Sequence, residues 1–204
     1  VHSRENKTVR PLALLAAAMA FAGSAMFAGT AHAQDTSQWL AESRKAAGSL
    51  VQQLGAQLRA TLEAQGADGA VTVCKDIAPA LAGQLSRETG WRVARVSLRT
   101  RNPLLGTPDA WEQNVLAEFD RRVAAGEKPD ALEFAEVVEE PGGRYYRYLK
   151  AIPTGPLCVT CHGPVEQMSP AIVERLQKEY PHDRATGYAP GQVRGGVTVK
   201  RRVD

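Results

Sequence analysis

Five residues restrict this chain more than any other feature: Cys158-Val159-Thr160-Cys161-His162. Two thiols two residues apart, with an imidazole directly after them, have to be presented together on one tight turn. The flanks agree. Pro153 and Pro156 precede the segment and Gly163-Pro164 follow it, so it is delivered on an irregular connection rather than within a long helix or a strand. A C-x-x-C pair has several uses. A thioredoxin-like redox pair belongs at a helix start in a βαβ setting. A structural zinc site takes four ligands, for which Cys74 and His182 remain, but no second knuckle exists. A disulfide between the two cysteines is a third use. The histidine adds the decisive information, because C-x-x-C-H is the attachment signature of c-type haem. Each thiol S–H adds across one vinyl group to give a thioether. The two-residue gap sets both sulfurs along one edge of the macrocycle, and His162 is then held below the ring with a nitrogen toward iron. The expectation is one covalent haem c on Cys158 and Cys161, with His162 as an axial ligand.

The other axial position has three candidates in the body of the chain: Cys74, His182 and Met168. Met168 lies only six residues past His162, a short reach to the opposite face. His182 sits in the polar stretch Tyr180-Pro181-His182-Asp183-Arg184 and reads as a solvated loop residue. Cys74 is an odd thiol, either a small buried apolar residue or a ligand. Spacing alone leaves these open.

Residues 1–33 read as a signal peptide. Arg4, Lys7 and Arg10 form a basic start, Leu12 to Phe27 is an apolar run, and Ala31-His32-Ala33 is a small-x-small cleavage site. A retained membrane anchor is the competing reading, but the run is short of the roughly 20 residues a span needs. The expectation is therefore export to a periplasm, with residues 34–204 as a single domain and no membrane span in the mature chain. The 204-residue chain carries a formal net charge of +3, mostly contributed by the leader. A near-neutral body argues against nucleic acid as a partner.

The body begins with a long helix, Ser37 to Gln65, in which Ala47, Leu50, Val51, Leu54, Leu58 and Leu62 share one face. Gly66 and Gly69 end it. A second helical stretch spans Ala70 to Arg87, kinked or restarted by Pro79. A strand is expected at Trp91–Leu98. A third helix is expected to open with Thr107-Pro108 and to close at Gly126. Two strands, Ala131–Glu139 and Arg144–Ile152, flank Pro141-Gly142-Gly143 and read as a hairpin. The motif loop, a short helix from Ser169-Pro170 to before Pro181, and a strand from Val193 to Lys200 complete the chain. This order predicts an α+β fold, an antiparallel sheet flanked by helices. Tyr146 and Tyr148 fall on one strand face and are candidate haem contacts, as is Arg101. Strand propensity, and a solvated cluster of Arg99 and Arg101, explain them without haem.

Several segments together resemble a family of exported c-haem proteins with a PAS-like fold, formerly a domain of unknown function. They are Val71-Thr72-Val73-Cys74-Lys75-Asp76-Ile77-Ala78-Pro79, Arg95-Val96-Ser97-Leu98, Arg101-Asn102-Pro103 and Pro108-Asp109-Ala110-Trp111-Glu112. Tyr146, Tyr148-Leu149 and Ile152-Pro153 lead into the motif, and Gly187-Tyr188 and Arg194-Gly195-Gly196-Val197 resemble the family's end. The connection Leu104-Leu105-Gly106-Thr107 is a residue longer than that pattern. The resemblance implies that a cysteine of the early helix, here Cys74, is the second axial ligand opposite His162. A thiolate stabilises ferric iron and lowers the reduction potential. Its release on reduction would open a position for carbon monoxide or nitric oxide.

Three functions follow as expectations. The first is a haem-based redox or diatomic-gas sensor that signals through a separate protein. The second is a simple electron-transfer cytochrome with a redox partner. The third, an enzyme, is disfavoured, since a peroxidase needs a distal acid–base group and only His182 is spare.

Overall fold

The computed structural model describes the backbone of residues 27–204 and side chains from residue 35 onward, apart from residue 68. The leader read at residues 1–33 lies outside the residues described with side chains, and its first 26 lie outside the described backbone. The chain divides into Val1–Thr36 and a compact unit, Ser37–Asp204. No helix among the described residues is long and apolar enough to cross a membrane.

The unit is α+β. Helix α1 (Phe27–Thr72) is followed by a π turn (Val73–Ile77), α2 (Ala78–Thr89), β1 (Arg92–Val96), the one-turn α3 (Pro103–Gly106) and α4 (Ala110–Ala124). Then come β2 (Glu133–Glu140), β3 (Gly143–Pro153), α5 (Val159–His162), α6 (Pro170–Glu179) and β4 (Val193–Arg202). The four strands form one antiparallel sheet in the order β1-β4-β3-β2. The hairpin expected around Gly142-Gly143 is β2–β3.

Helices cover both sheet faces, and strand alternation assigns residues to each. On one face Val93, Tyr146, Tyr148, Val197 and Val199 pack against Ala46, Ala47 and Leu50 of α1 and Leu85 of α2. On the other, Val96, Leu149, Ala151 and Val193 pack against Val115, Leu116 and Phe119 of α4. The apolar stripe of α1 is buried only where it crosses the sheet; Leu54, Leu58 and Leu62 are half-buried and Val51 is exposed. Gly66, at φ 71°, interrupts the helical backbone, as a residue without Cβ can, and the helix resumes to Thr72. Ser86 fastens α2 to β1: its hydroxyl accepts from Val93 N at 2.9 Å and reaches Ala82 O at 2.8 Å.

The third helix starts two residues later than expected. Asp109, not Thr107, is the cap, because Asp109 and Glu112 form a reciprocal capping box, Glu112 N to Asp109 Oδ1 at 2.9 Å and Asp109 N to Glu112 Oε2 at 2.9 Å. Thr107 instead closes α3, a turn that periodicity alone does not reveal. The same Glu112 is fully buried against Arg147, itself only 2 % exposed. Arg147 also pairs with Asp109 at 2.6 Å and Glu140 at 2.8 Å. Breaking a buried pair strands a charge in a low-dielectric interior. Arg147→Ala should therefore cost about 3–5 kcal/mol in urea unfolding; a loss within experimental error would show that the network is solvated.

Candidate haem site

The motif is less irregular than its prolines suggest. Cys158 opens one helical turn, α5, with His162 N on Cys158 O at 2.9 Å and Gly163 N on Val159 O at 2.8 Å. Gly163 is a steric requirement, since a Cβ there would lie 2.6 Å from Val159 O. Cys158 is in no disulfide, so the disulfide reading does not apply. Among the described residues no three His, Cys, Asp or Glu side chains are placed to hold a metal ion, so Cys74 and His182 do not complete a zinc set. His182 is exposed.

The loop after α6 clamps the turn from outside. Gly187 N donates to Gly163 O at 2.7 Å and Tyr188 N to His162 O at 2.8 Å. Arg101 Nε pairs with Asp183 Oδ2 at 3.0 Å, and its Nη2 donates to Cys161 O. Arg101 is thus buried among acceptors of its own chain and braces the motif.

His162 Nδ1 lies 2.7 Å from Ala185 O. A carbonyl only accepts, so this nitrogen carries the proton and Nε2 keeps its lone pair, the arrangement a metal-binding imidazole needs. Burial holds the imidazole well below its ordinary pKa, and Arg194 and Arg101 push the same way, against the Ala185 bond. The neutral imidazole is therefore the favoured form.

Cys74 stands near Tyr180 and Arg95. It lies in the π turn Val73–Ile77, a register irregularity of a kind that recurs at functional positions. Val71, just before it, packs with Ile172, Leu176 and Tyr180, and Cys161 and Met168 pack against that cluster. Two charge couplings tie Cys74 to the motif. Burial lifts the Tyr180 phenol to about 12, with Cys74 as the next cause. Burial lowers the Arg95 guanidinium, and Cys74 opposes it, while Arg95 also acts on His162. Beside these groups a cavity of about 370 Å³ is lined by Val165, Met168, Leu176 and Tyr180. A larger one, about 430 Å³, behind Tyr188, is lined by no cysteine or histidine.

The tyrosines expected at the haem fall elsewhere. Tyr146 and Tyr148 share a face, but that face is buried under α1, with Tyr146 edge-on to Trp39 at 5.5 Å and Tyr148 OH on Glu133 at 2.9 Å. The strand register gives their height: β4 sets Tyr148 level with Val93, two residue pairs short of Arg95. Arg95 and Arg194 are the site residues that local reasoning did not single out. An arginine inside a valine-rich strand, and another directly before Gly195-Gly196, were the available signals.

The donor set suits a c-type haem: two cysteines on one turn, an imidazole whose Nδ1 is taken up by Ala185 O, a third thiol near Tyr180 and Arg95, and partly buried guanidinium charge beside the imidazole. A histidine whose folded pKa is depressed binds fewer protons folded than unfolded, so stability falls as pH drops below the ordinary value of 6.5. Haem-free protein should melt progressively lower as pH falls below about 6.5, and His162→Gln should remove part of that dependence. An unchanged profile in His162→Gln would mean a solvated imidazole.

No curated protein matches this chain. The solved structure of the cyanobacterial heme-protein Tll0287 is similar at a TM-score of 0.52 and 27 % identity, over 65 % of this chain and 73 % of that one. The family described as Tll0287-like matches residues 13–201, nearly the whole sequence. On that match the chain belongs to the Tll0287-like family.

Proposed function

We propose that the chain is an exported monohaem c-type protein with a PAS-like domain, whose iron lies between His162 and Cys74, and that it senses redox state or a diatomic gas rather than catalysing a reaction. The observation that carries this reading is the convergence of two turns. The α5 turn brings Cys161 onto the cluster of Val71, Ile172, Leu176 and Tyr180, and the π turn that follows Val71 sets Cys74 near enough to Tyr180 and Arg95 to act on both charges. The solved relative is a haem protein, which supports the same cofactor here.

In this reading Cys158 and Cys161 hold the haem through thioethers and His162 ligates through Nε2. The haem supplies one-electron chemistry and a coordination position at iron. Ala185 O fixes the imidazole, and Arg101 fixes the turn that carries it. Cys74 is the ligand suited to exchange. A thiolate favours ferric over ferrous iron, and its π turn ends directly before the helix that opens with Ala78-Pro79. Release of Cys74 on reduction is the event a partner would read, and it would free a site for carbon monoxide or nitric oxide.

The test is the optical and electron-spin spectra of wild type and Cys74→Ala, matured with haem, in both oxidation states. Wild type should show a low-spin thiolate signature when ferric and bind carbon monoxide when ferrous; Cys74→Ala should lose the signature and keep the covalent haem. A spectrum indifferent to Cys74→Ala, with a ferrous form inert to carbon monoxide, would leave a simple electron carrier ligated by Met168, His182 or water.

A further inference from the structure

Three arginines surround His162, and only one has an acidic partner. Arg101 is paired with Asp183 at 3.0 Å. Arg194 and Arg95 make no ion pair among the described residues. Arg194 Nε stands 3.2 Å from His162 Nδ1 and 3.4 Å from Nε2, so it lies against the imidazole rather than along one lone pair. Its Nη1 donates to Ser97 Oγ at 3.0 Å and reaches Arg99 O at 3.4 Å. These are neutral acceptors, and they leave the charge uncompensated. Arg95 makes no side-chain hydrogen bond among the described residues. Its position in β1 has the parity of Val93, so it faces the side covered by α1 and α2, and it stands near enough to Cys74 to feel its charge.

Burial lowers both guanidinium groups, and each of Arg95 and Arg101 further lowers Arg194. Two partly buried guanidinium charges with no acidic partner, close enough to act on each other, are costly, and an arriving counter-charge relieves that cost. A planar guanidinium is built to receive a carboxylate through two parallel N–H···O bonds. Haem carries two propionate carboxylates, so the number and the sign agree.

We propose that Arg194 and Arg95 are the anchors of the haem propionates, Arg194 on the His162 side and Arg95 on the side facing Cys74. This rests on the haem reading above. Arg101 then has a separate duty, holding the motif turn through Cys161 O. Because the thioethers keep the haem attached, removing an anchor changes its electrostatics and orientation without releasing it.

The test uses the protein matured with haem, and covalent haem in wild type is established first. Arg194→Gln and Arg95→Gln should keep the haem and both axial ligands. Each should shift the ferric–ferrous equilibrium roughly tenfold toward ferric, through loss of a nearby positive charge. Each should also move the propionate bending bands in the resonance Raman spectrum. Arg194→Lys and Arg95→Lys, which keep the charge but lose the fork, should restore most of the equilibrium and not the bands, and they serve where a glutamine variant fails to fold. A shifted equilibrium with unmoved bands would reduce the arginines to distant charges and overturn the assignment, as would no change in either. Absence of covalent haem from wild type would overturn the functional reading itself, and this inference with it.

Discussion

The hydrogen bond between His162 Nδ1 and the Ala185 carbonyl is the contact around which the site is organised. It sets the tautomer, and with it the nitrogen available to a metal. It also explains the loop that supplies Ala185. Asp183 Oδ1 accepts from Ala185 N at 2.7 Å, Gly187 N and Tyr188 N pin the motif backbone, and Arg101 spans Asp183 and Cys161. Ala185 is fully buried. The segment that looks like a polar connection in sequence is therefore the wall that holds the imidazole. Without it, a histidine on a four-residue helical turn would lose the contact that fixes its ring.

The opposite wall depends on an irregular helix. A regular continuation of α1 into α2 is incompatible with Pro79, which cannot donate a hydrogen bond within a helix. The chain accommodates it with five π-helical residues, Val73–Ile77, and begins α2 anew at Ala78 with the proline in its first turn. Cys74 stands on that irregularity, and Val71 just before it joins the cluster that α6 and the motif share. The sheet sets the distance between the two walls. Gly195 at φ 155° allows β4 to approach β1 so closely that a Cβ would stand 2.4 Å from Val96 O, and Arg194 leaves the strand just before that contact.

Much of this was legible in the residues. The motif, the hairpin, the strand order's antiparallel character and the restart at Pro79 rest on local chemistry: thiol spacing, paired glycines, alternation, a missing N–H. The cap of α4 was misplaced because Thr107-Pro108 and Asp109 are both competent capping sequences, and only the pairing of Asp109 with Glu112 decides between them. Tyr146 and Tyr148 do share a face, as alternation requires, but alternation gives a side of the sheet and not a height along the strand, and both rings pack under α1. Height comes from register with β4, a long-range property. Arg95 and Arg194 carried no role in the local reading for the same reason: they are 99 positions apart, and only the fold brings both charges to bear on His162.

Iron-edge X-ray absorption of the ferric protein, matured with haem, bears most directly on whether the two walls close on one metal. The expected nearest-neighbour shell contains one sulfur and five nitrogens, the sulfur being Cys74 and the fifth nitrogen His162. A shell of six nitrogen or oxygen neighbours, with no sulfur, would place Cys74 in the core as an ordinary buried thiol and contradict the reading of the π turn as a ligand-bearing element.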